Sequence, residues 1–379
     1  MIERPLEKLG LTRLMALFPV TTILGPRQSG KSTLAREFVA DHVFELENPR
    51  DMALLAQPQL ALEPLSGLIE IDEIQRAPDL FPLLRHFVDT RPDQRYLILA
   101  SASRDLIRQS SESLAGRIGF HEFGGFRLSD IGADHWRRLW MRGGLSPAFT
   151  ARSDDDSYLW REQYIATFLE RDIPQLGITI PAATVRRFWT MLCHYHGQVL
   201  NHAELARAFG ISDMSVRRYL DILEGTFMVR LLRPWHTNTR KRLVKRPKVY
   251  VRDTGLLHGL LAIRSERDLA SHNKLGASWE GFALEVAARA CGKRPEELAF
   301  WSTHAGAEVD LFWQEHGKNW VAEIKYADAP RLTPSMSSAF QDLELEHLWV
   351  LYPGDRAYPL AAKITTLPIG GLGATWPYP

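Results

Sequence analysis

Cysteine is scarce in this chain. Only Cys193 and Cys291 occur, far apart, which excludes both a disulfide-built secreted scaffold and a thiolate zinc cluster. No apolar run reaches the roughly 18 residues of a membrane-spanning helix, so no membrane partner is expected. Met1 to Leu11 holds no apolar stretch behind a basic start, so no signal peptide is expected and a cytoplasmic location is the default. No sign of charge dominates either: 46 Lys and Arg face 45 Asp and Glu, and the net charge of +1 says nothing about partners. Internal repeats and long low-complexity tracts are absent too. What remains is an ordinary globular composition, 45% hydrophobic and 24% charged, over 379 residues. That excludes wholesale disorder. At about 150 residues per domain it predicts two or three domains with cores of their own.

The chain divides by pattern. Residues 1–20 read as a helical lead-in, with Leu6, Leu9, Leu14 and Leu17 at helical spacing. Strand, glycine-rich loop, helix, strand, helix and strand then alternate from Val20 to about Ile131, which predicts a parallel sheet with crossover helices. Ser146 to Ser157, with Pro147 and Asp154-Asp155-Asp156, reads as a linker or exposed loop. Residues 158–235 are mostly helical and 236–256 are basic. Helix, strand pair, helix and strand follow from Leu275, and Gly370 to Pro379 reads as irregular.

Thr21-Thr22-Ile23-Leu24 is a β-branched and apolar run. Gly25-Pro26-Arg27-Gln28-Ser29-Gly30-Lys31-Ser32 follows it, and a helical segment opens at Thr33. This is the G-x-x-x-x-G-K-[ST] phosphate loop in its strand-to-helix setting. Glycines let backbone N–H groups approach phosphate, and the helix start adds a positive dipole end. Lys31 is placed to reach the β- and γ-phosphates, and Ser32 to ligate Mg²⁺. Leu68 to Glu73 is an apolar strand ending in two carboxylates. Asp72 is the candidate to complete the Mg²⁺ shell and Glu73 the candidate to orient the attacking water. A third strand, Tyr96 to Ala100, ends at Ser101, which reads either as a γ-phosphate sensor or as a helix N-cap. Arg117 is either an arginine finger or a surface or packing arginine. The guanine-reading Asn-Lys-x-Asp tetrad is missing, so ATP is favoured over GTP.

Glu204 to Ser212 reads as a helix ended by Gly210, and Asp213 to Glu224 as a second helix, which is the helix-turn-helix pattern. Thr226 to Leu232 supplies a strand able to start a wing. Between Gly225 and Arg252 stand nine basic residues and no acid: Arg230, Arg233, Arg240, Lys241, Arg242, Lys245, Arg246, Lys248 and Arg252. Phosphate backbone is the natural partner of such a run, with Arg217 and Arg218 as groove-facing candidates. The other reading is a packing module with a solvated basic face.

Near the C-terminus, Glu308 to Trp313 and Trp320 to Lys325 flank a turn. Centred on His316-Gly317, the turn sets Asp310 opposite Glu323 and Glu308 opposite Lys325. Period-2 alternation then gives Val309, Leu311, Trp313, Trp320, Ala322 and Ile324 a core face, and Glu308, Asp310, Glu323 and Lys325 the other face. Two chemistries suit that polar face. One is a Mg²⁺ site with Asp310 and Glu323 as ligands and Lys325 beside the nucleophile, Glu280 adding a further carboxylate. The other is a solvated surface with two cross-strand ion pairs.

Taken together, these motifs resemble the prokaryotic AAA+-type ATPases that carry a C-terminal domain of restriction-endonuclease-like fold. The likeness runs through the phosphate loop Gly25 to Ser32, Asp72-Glu73, Leu114-Ala115-Gly116-Arg117, Arg142-Gly143-Gly144, Leu169-Glu170-Arg171-Asp172 and Pro247-Lys248-Val249-Tyr250. Glu280, Asp310 and Glu323-x-Lys325 are similar to the PD-(D/E)xK signature. Leu99-Ala100-Ser101 departs from the relatives' usual Thr-Gly-Ser, which touches only the γ-phosphate sensor. The resemblance implies an α/β fold in three parts: an AAA+-like P-loop domain over 1–150, a helical winged-helix module over 151–264, and a nuclease-like α/β domain over 265–379. It implies ATP and Mg²⁺ as cofactors and ATP hydrolysis; the basic run adds DNA as the expected partner, with self-association into a homo-oligomer left open. Two functions stand: an ATPase coupled to Mg²⁺-dependent DNA cleavage, or an ATP-switched binding protein whose nuclease-like domain serves for docking.

Overall fold

Residues Val20–Leu24 are apolar or β-branched throughout and buried at every position, and they form β1 of a parallel sheet. The structure is a computed structural model that describes residues 2–101, 114–176, 178, 180–235, 243–373 and 376–378. The other strands of this sheet are β2 (His42–Glu45), β3 (Gly67–Asp72), β4 (Gln94–Ala100) and β5 (Ile118–Glu122), in the order β2-β3-β4-β1-β5. All four pairings are parallel, so the carboxyl ends of β1, β3 and β4 share one edge. Helix Leu80–Thr90 places Leu80, Phe81, Leu84 and Phe87 in one core layer with Ile69, Ile71, Tyr96 and Ile98. Ile23, Leu97, Leu99 and Phe123 form a second layer with Leu11 and Leu34. The lead-in helix, Pro5–Leu17, buries Glu7 and Leu11 while Leu9 and Leu17 stay exposed. Glu7 lies 2.7 Å from His121 Nε2. These elements belong to one compact unit, Met1–Phe126 with Gln175–Ile178 and Gly225–Phe227.

The second unit comprises Arg127–Pro174, Thr179–Glu224 and Met228–Pro379. Helices His202–Phe209 and Asp213–Gly225 meet at Gly210, whose φ of 66° suits glycine as a helix stop. A mixed nine-stranded sheet runs through the unit. Its strands are β6 (Gln198–Val199), β7 (Val229–Pro234), β8 (Lys248–Val251), β9 (Ala299–Ser302), β10 (Glu308–Glu315), β11 (Lys318–Ile324), β12 (Leu345–Tyr352), β13 (Pro359–Ala361) and β14 (Ile364–Pro368). They lie in the order β13-β14-β12-β11-β10-β9-β7-β8-β6. Helix Pro334–Asp342 packs Met336 and Ala339 against Val309, Phe312, Val321, Leu348 and Val350.

Two expectations are corrected here. Ser146 to Ser157 is not a loop: it forms helix Ser146–Thr150 and the start of helix Asp154–Thr167. Ser153 accepts from the Asp156 N–H at 3.0 Å, and the three aspartates sit in the first turn, where the helix dipole favours negative charge. The β10–β11 hairpin also differs from the one-sided picture. Leu311 faces Ala322 and Trp313 faces Trp320, and His316 and Gly317 both have positive φ, 51° and 73°, as a two-residue I′ turn demands. That is the anticipated register. However, Val309 to Trp313 and Trp320 to Ile324 are buried without interruption. Successive strand residues point to opposite faces, so both faces are covered.

The basic run divides likewise. Arg230 is buried and gives Glu285 two hydrogen bonds, of 2.6 and 3.1 Å. Arg252 stands 3.7 Å from the same carboxylate, and Lys248 is only 3% exposed. These three are structural cations, not a phosphate-facing surface. Arg233, Lys245 and Arg246 are exposed, as are Arg217 and Arg218. Arg240, Lys241 and Arg242 lie outside the described residues. Burial works to raise the Glu285 pKa, and Arg230 and Arg252 outweigh it, bringing it down to about 2. Arg230→Ala strands that anion in the interior and is expected to cost about 3–5 kcal/mol, read as a lower denaturation midpoint. A change below about 1 kcal/mol would mean that Glu285 finds water or another cation.

Candidate functional site

The carboxyl edge of the parallel sheet gathers the nucleotide-site candidates. Gly25 follows β1 with no room for a side chain: a Cβ there would meet the Phe123 carbonyl oxygen at 1.8 Å. Gly30 has a φ of 98°, which glycine adopts without strain. Ser29 is fully buried and its hydroxyl donates to the Pro26 carbonyl at 2.8 Å. Arg27 pairs with Glu47 and stands 3.8 Å from Glu73. Gln28 turns outward with a φ of 60°, and Thr33 is exposed on the helix Lys31–Ala35.

Lys31 is 6% exposed, and its Nζ donates to the carbonyls of Gly25 and Pro26 at 2.9 and 3.0 Å and to Ser101 Oγ at 3.3 Å. Ser32 Oγ donates to Asp72 Oδ2 at 2.9 Å. Glu73, with a φ of 58°, accepts from Ser101 Oγ and from the Gln75 side chain. The loop thus brings a buried ammonium, a hydroxyl–carboxylate pair and a second carboxylate to one edge. That donor set fits a nucleotide triphosphate and a hard cation: Ser32 and Asp72 would hold Mg²⁺, and the loop and Lys31 the phosphates. Ser101 joins this group through its hydroxyl, and the segment it would cap lies outside the described residues.

Arg117 does not join it. Ile118 pairs with Val20 and the Val20 N–H bonds to the Arg117 carbonyl, which puts Arg117 at the amino edge of the sheet. At about 3.3 Å per residue, β1 separates it from the loop by roughly 20 Å. Its guanidinium grips Asp89 with bonds of 2.6 and 3.0 Å. A finger acting on its own chain's nucleotide is thereby overturned, since the parallel sheet directs β1 and β5 the same way.

The C-terminal candidates also converge, around a cation that sequence reasoning had assigned elsewhere. Lys248 Nζ lies 2.5 Å from Glu308, 3.4 Å from Asp310 and 3.4 Å from Glu280. Tyr250 donates to Glu280 at 2.6 Å. Asp310 accepts from the Ile324 N–H at 2.8 Å, and Lys325 reaches Glu323 at 2.6 Å. The anticipated Glu308–Lys325 pairing is replaced, because Lys248 takes Glu308 and Lys325 turns to Glu323. Asp310 and Glu323 are 7% and 4% exposed, whereas the Glu308 and Lys325 side chains are 38% and 39% exposed, so the cluster is closed at its centre and open at its edge.

Electrostatics follow from that burial. Burial and the nearby Asp310 push Glu280 up to about 7, with Lys248 pulling it down. The same two causes push Glu323 up to about 8, against Lys325. For Lys248 burial works against the charge, but Tyr250 and the surrounding carboxylates raise its pKa well above the ordinary lysine value. Among the described residues no three His, Cys, Asp or Glu side chains are arranged to hold a metal ion. The expected ligand set of Glu280, Asp310 and Glu323 is therefore not arranged as a metal site: Lys248 lies against Glu280 and Asp310, and Lys325 against Glu323. Lys248 and Tyr250 were the missed members. A lysine two residues before a tyrosine inside the run Lys248-Val249-Tyr250-Val251 was the available signal, since both fall on one strand face.

A phosphate loop after β1, an acidic pair after β3 and a serine after β4 define an AAA-type P-loop domain, and the family model described as an AAA domain matches residues 17–131. Two further models, described as domains of unknown function DUF8612 and DUF4143, match residues 133–267 and 275–372. The uncharacterized proteins Rv2008c of Mycobacterium tuberculosis and Mb2031c of Mycobacterium bovis are each 49% identical over 373 residues, covering 97% of this chain and 84% of theirs. The chain belongs to the family of these mycobacterial proteins. A solved structure, the Walker-type ATPase paby2304 of Pyrococcus abyssi, is 15% identical with a TM-score of 0.48, covering 69% of this chain and 96% of that one. No helix among the described residues is long and apolar enough to cross a membrane.

Glu70 was not singled out from sequence, yet it lies 5% exposed on the strand that ends at Asp72. Burial first, and then the Asp72 charge, push it up to about 7, while Arg36 acts the other way. Between about pH 4.5 and 7 the folded chain holds a proton there that the unfolded chain has released, so this residue's contribution to stability falls as pH rises through that window. Glu70→Gln is expected to gain stability relative to the parent from about pH 5 to 8, by up to about 3 kcal/mol. A stability difference that does not change with pH would refute the assignment.

Proposed function

We propose that this protein is an ATP-hydrolysing P-loop switch whose second unit engages DNA, and whose C-terminal carboxylate cluster serves structure and docking instead of metal-dependent cleavage. The observation that carries the ATPase reading is the 2.9 Å contact of Ser32 Oγ with Asp72 beside the Lys31 loop, with Glu73 alongside. Lys31 would leave its carbonyl partners for the β- and γ-phosphates. Glu73, free to exchange its Ser101 bond for a water, would orient the nucleophile, and Ser101 would face the γ-phosphate. Ser32 and Asp72 would hold Mg²⁺, which would supply positive charge against that of the phosphates. Any finger role for Arg117 needs a second copy of the chain, with Asp89 released.

Helix Ala182–His194, β6, the helix pair, β7 and β8 follow one another as in a winged helix. Arg217 and Arg218 on the second helix of the pair, together with Arg233, Lys245 and Arg246, are among its exposed cations. They support phosphate-backbone contact. Lys248 within the carboxylates favours the non-cleaving reading over the nuclease one, because an ammonium provides charge balance but neither an open coordination position nor an activated water.

Lys31→Ala is expected to weaken nucleotide binding, whereas Glu73→Gln should bind ATP and turn it over at least about tenfold more slowly. Steady-state phosphate release with parallel binding measurements distinguishes the two, and turnover by Glu73→Gln at the parent rate would remove Glu73 from this role. Incubation of duplex and single-stranded DNA with Mg²⁺ or Mn²⁺ should leave it intact. Cleavage that is lost in Asp310→Ala would restore the nuclease reading.

A further inference from the structure

Immediately after Lys325 the chain leaves the sheet at Tyr326, which is 46% exposed and lines a cavity of about 390 Å³ within the second unit. Its aromatic wall is Trp136, Trp140 and Tyr326, with Trp136 and Trp140 at 6.2 Å and Trp140 and Tyr326 at 5.7 Å between ring centroids. Trp279 stands edge-on behind them, 5.4 and 5.3 Å from the two indoles. This wall is held by polar groups as well as by packing. Trp140 Nε1 donates to Ser278 Oγ at 2.9 Å, and Ser278 lies 2.7 Å from His258 Nε2. His258 Nδ1 is 3.0 Å from the Met141 carbonyl, so it donates there and Nε2 accepts from Ser278. Thr254 fixes the Trp140 carbonyl at 2.7 Å. Both Ser278 and His258 are fully buried. At the rim stand the exposed Arg137, Glu266 and Asp328. The Arg137 guanidinium already lies 4.3 Å over the Trp136 ring.

We propose that this pocket receives the guanidinium of an arginine side chain carried by a partner polypeptide. The exposed Tyr326 ring offers a face on which a planar cation stacks, backed by Trp136 and Trp140, which are 8% and 7% exposed, and two carboxylates against one guanidinium leave the rim acidic. Carboxylates accept a guanidinium's forked N–H groups with matched geometry. The cavity lies near the small end of ligand sites, suited to one side chain with its flanking backbone. A nucleobase would stack equally well, but its phosphates would meet Glu266 and Asp328. The inference stands apart from the ATPase reading and draws on neither the phosphate loop nor the carboxylate cluster.

Titration of the full chain with acetyl-Gly-Arg-Gly-amide, followed calorimetrically, tests it against the same peptide with citrulline, which keeps the shape and loses the charge. The arginine peptide is expected to bind at least about tenfold more tightly. Tyr326→Ala, and separately the pair Glu266→Gln with Asp328→Asn, should each weaken it about fivefold or more, with melting temperature and ATP turnover unchanged. Equal binding of the two peptides, no binding at millimolar concentration, or indifference to both variants would overturn the proposal. So would oligothymidylate binding that depends on Tyr326 in a protein that ignores the arginine peptide, which would make the pocket a base-stacking site. Because Tyr326 is half-exposed and the rim substitutions are isosteric, loss of fold does not confound the comparison.

Discussion

Lys248 is the cation on which the C-terminal architecture depends. Four carboxylates, Glu280, Glu308, Asp310 and Glu323, converge where helix Leu275–Ala290 meets the β10–β11 hairpin, and three of them approach one ammonium. Burying such charges unpaired is prohibitive. The strand carrying Lys248 lies within the sheet that also carries the hairpin. Tyr250, on the same face of β8, completes the arrangement by donating to Glu280. A second buried pair, Arg230 with Glu285, secures the neighbouring strand β7 to the same helix.

The two candidate sites obey opposite rules. At the carboxyl edge of the parallel sheet, polar groups satisfy one another through contacts that a ligand can replace: Lys31 with backbone carbonyls, Ser32 with Asp72, Ser101 with Glu73. Asp72 and Glu73 remain partly exposed there. In the C-terminal cluster, Asp310 and Glu323 are closed off, and Lys248 and Lys325 stand beside the carboxylates.

Local sequence rules pick out the phosphate loop because its determinants are local, whereas they misplace Arg117. The glycines at 25 and 30, the lysine, the hydroxyl and the acidic strand end are each dictated by backbone geometry within a few residues. The hairpin register was legible for the same reason, since His316 and Gly317 both adopt the left-handed region that a two-residue turn requires. The helix pair around Gly210 was legible from its glycine stop.

The phosphate loop, the hairpin register and the carboxylates that share a strand face are thus written in the chain itself, whereas the helices at Ser146–Thr150 and Asp154–Thr167 are not. Tertiary structure alone decided which charges meet. A run of nine cations without acids reads as a surface because neutralisation can only be judged locally in sequence, yet Arg230 and Lys248 find their anions 55 and 62 residues away. The placement of Arg117 at the far edge of its sheet is likewise invisible in the chain, because strand order and direction emerge only when β1 is set between β4 and β5. Long-range pairing carries no periodic signature. Burial, which makes an unpaired charge costly, is a property of the assembled fold.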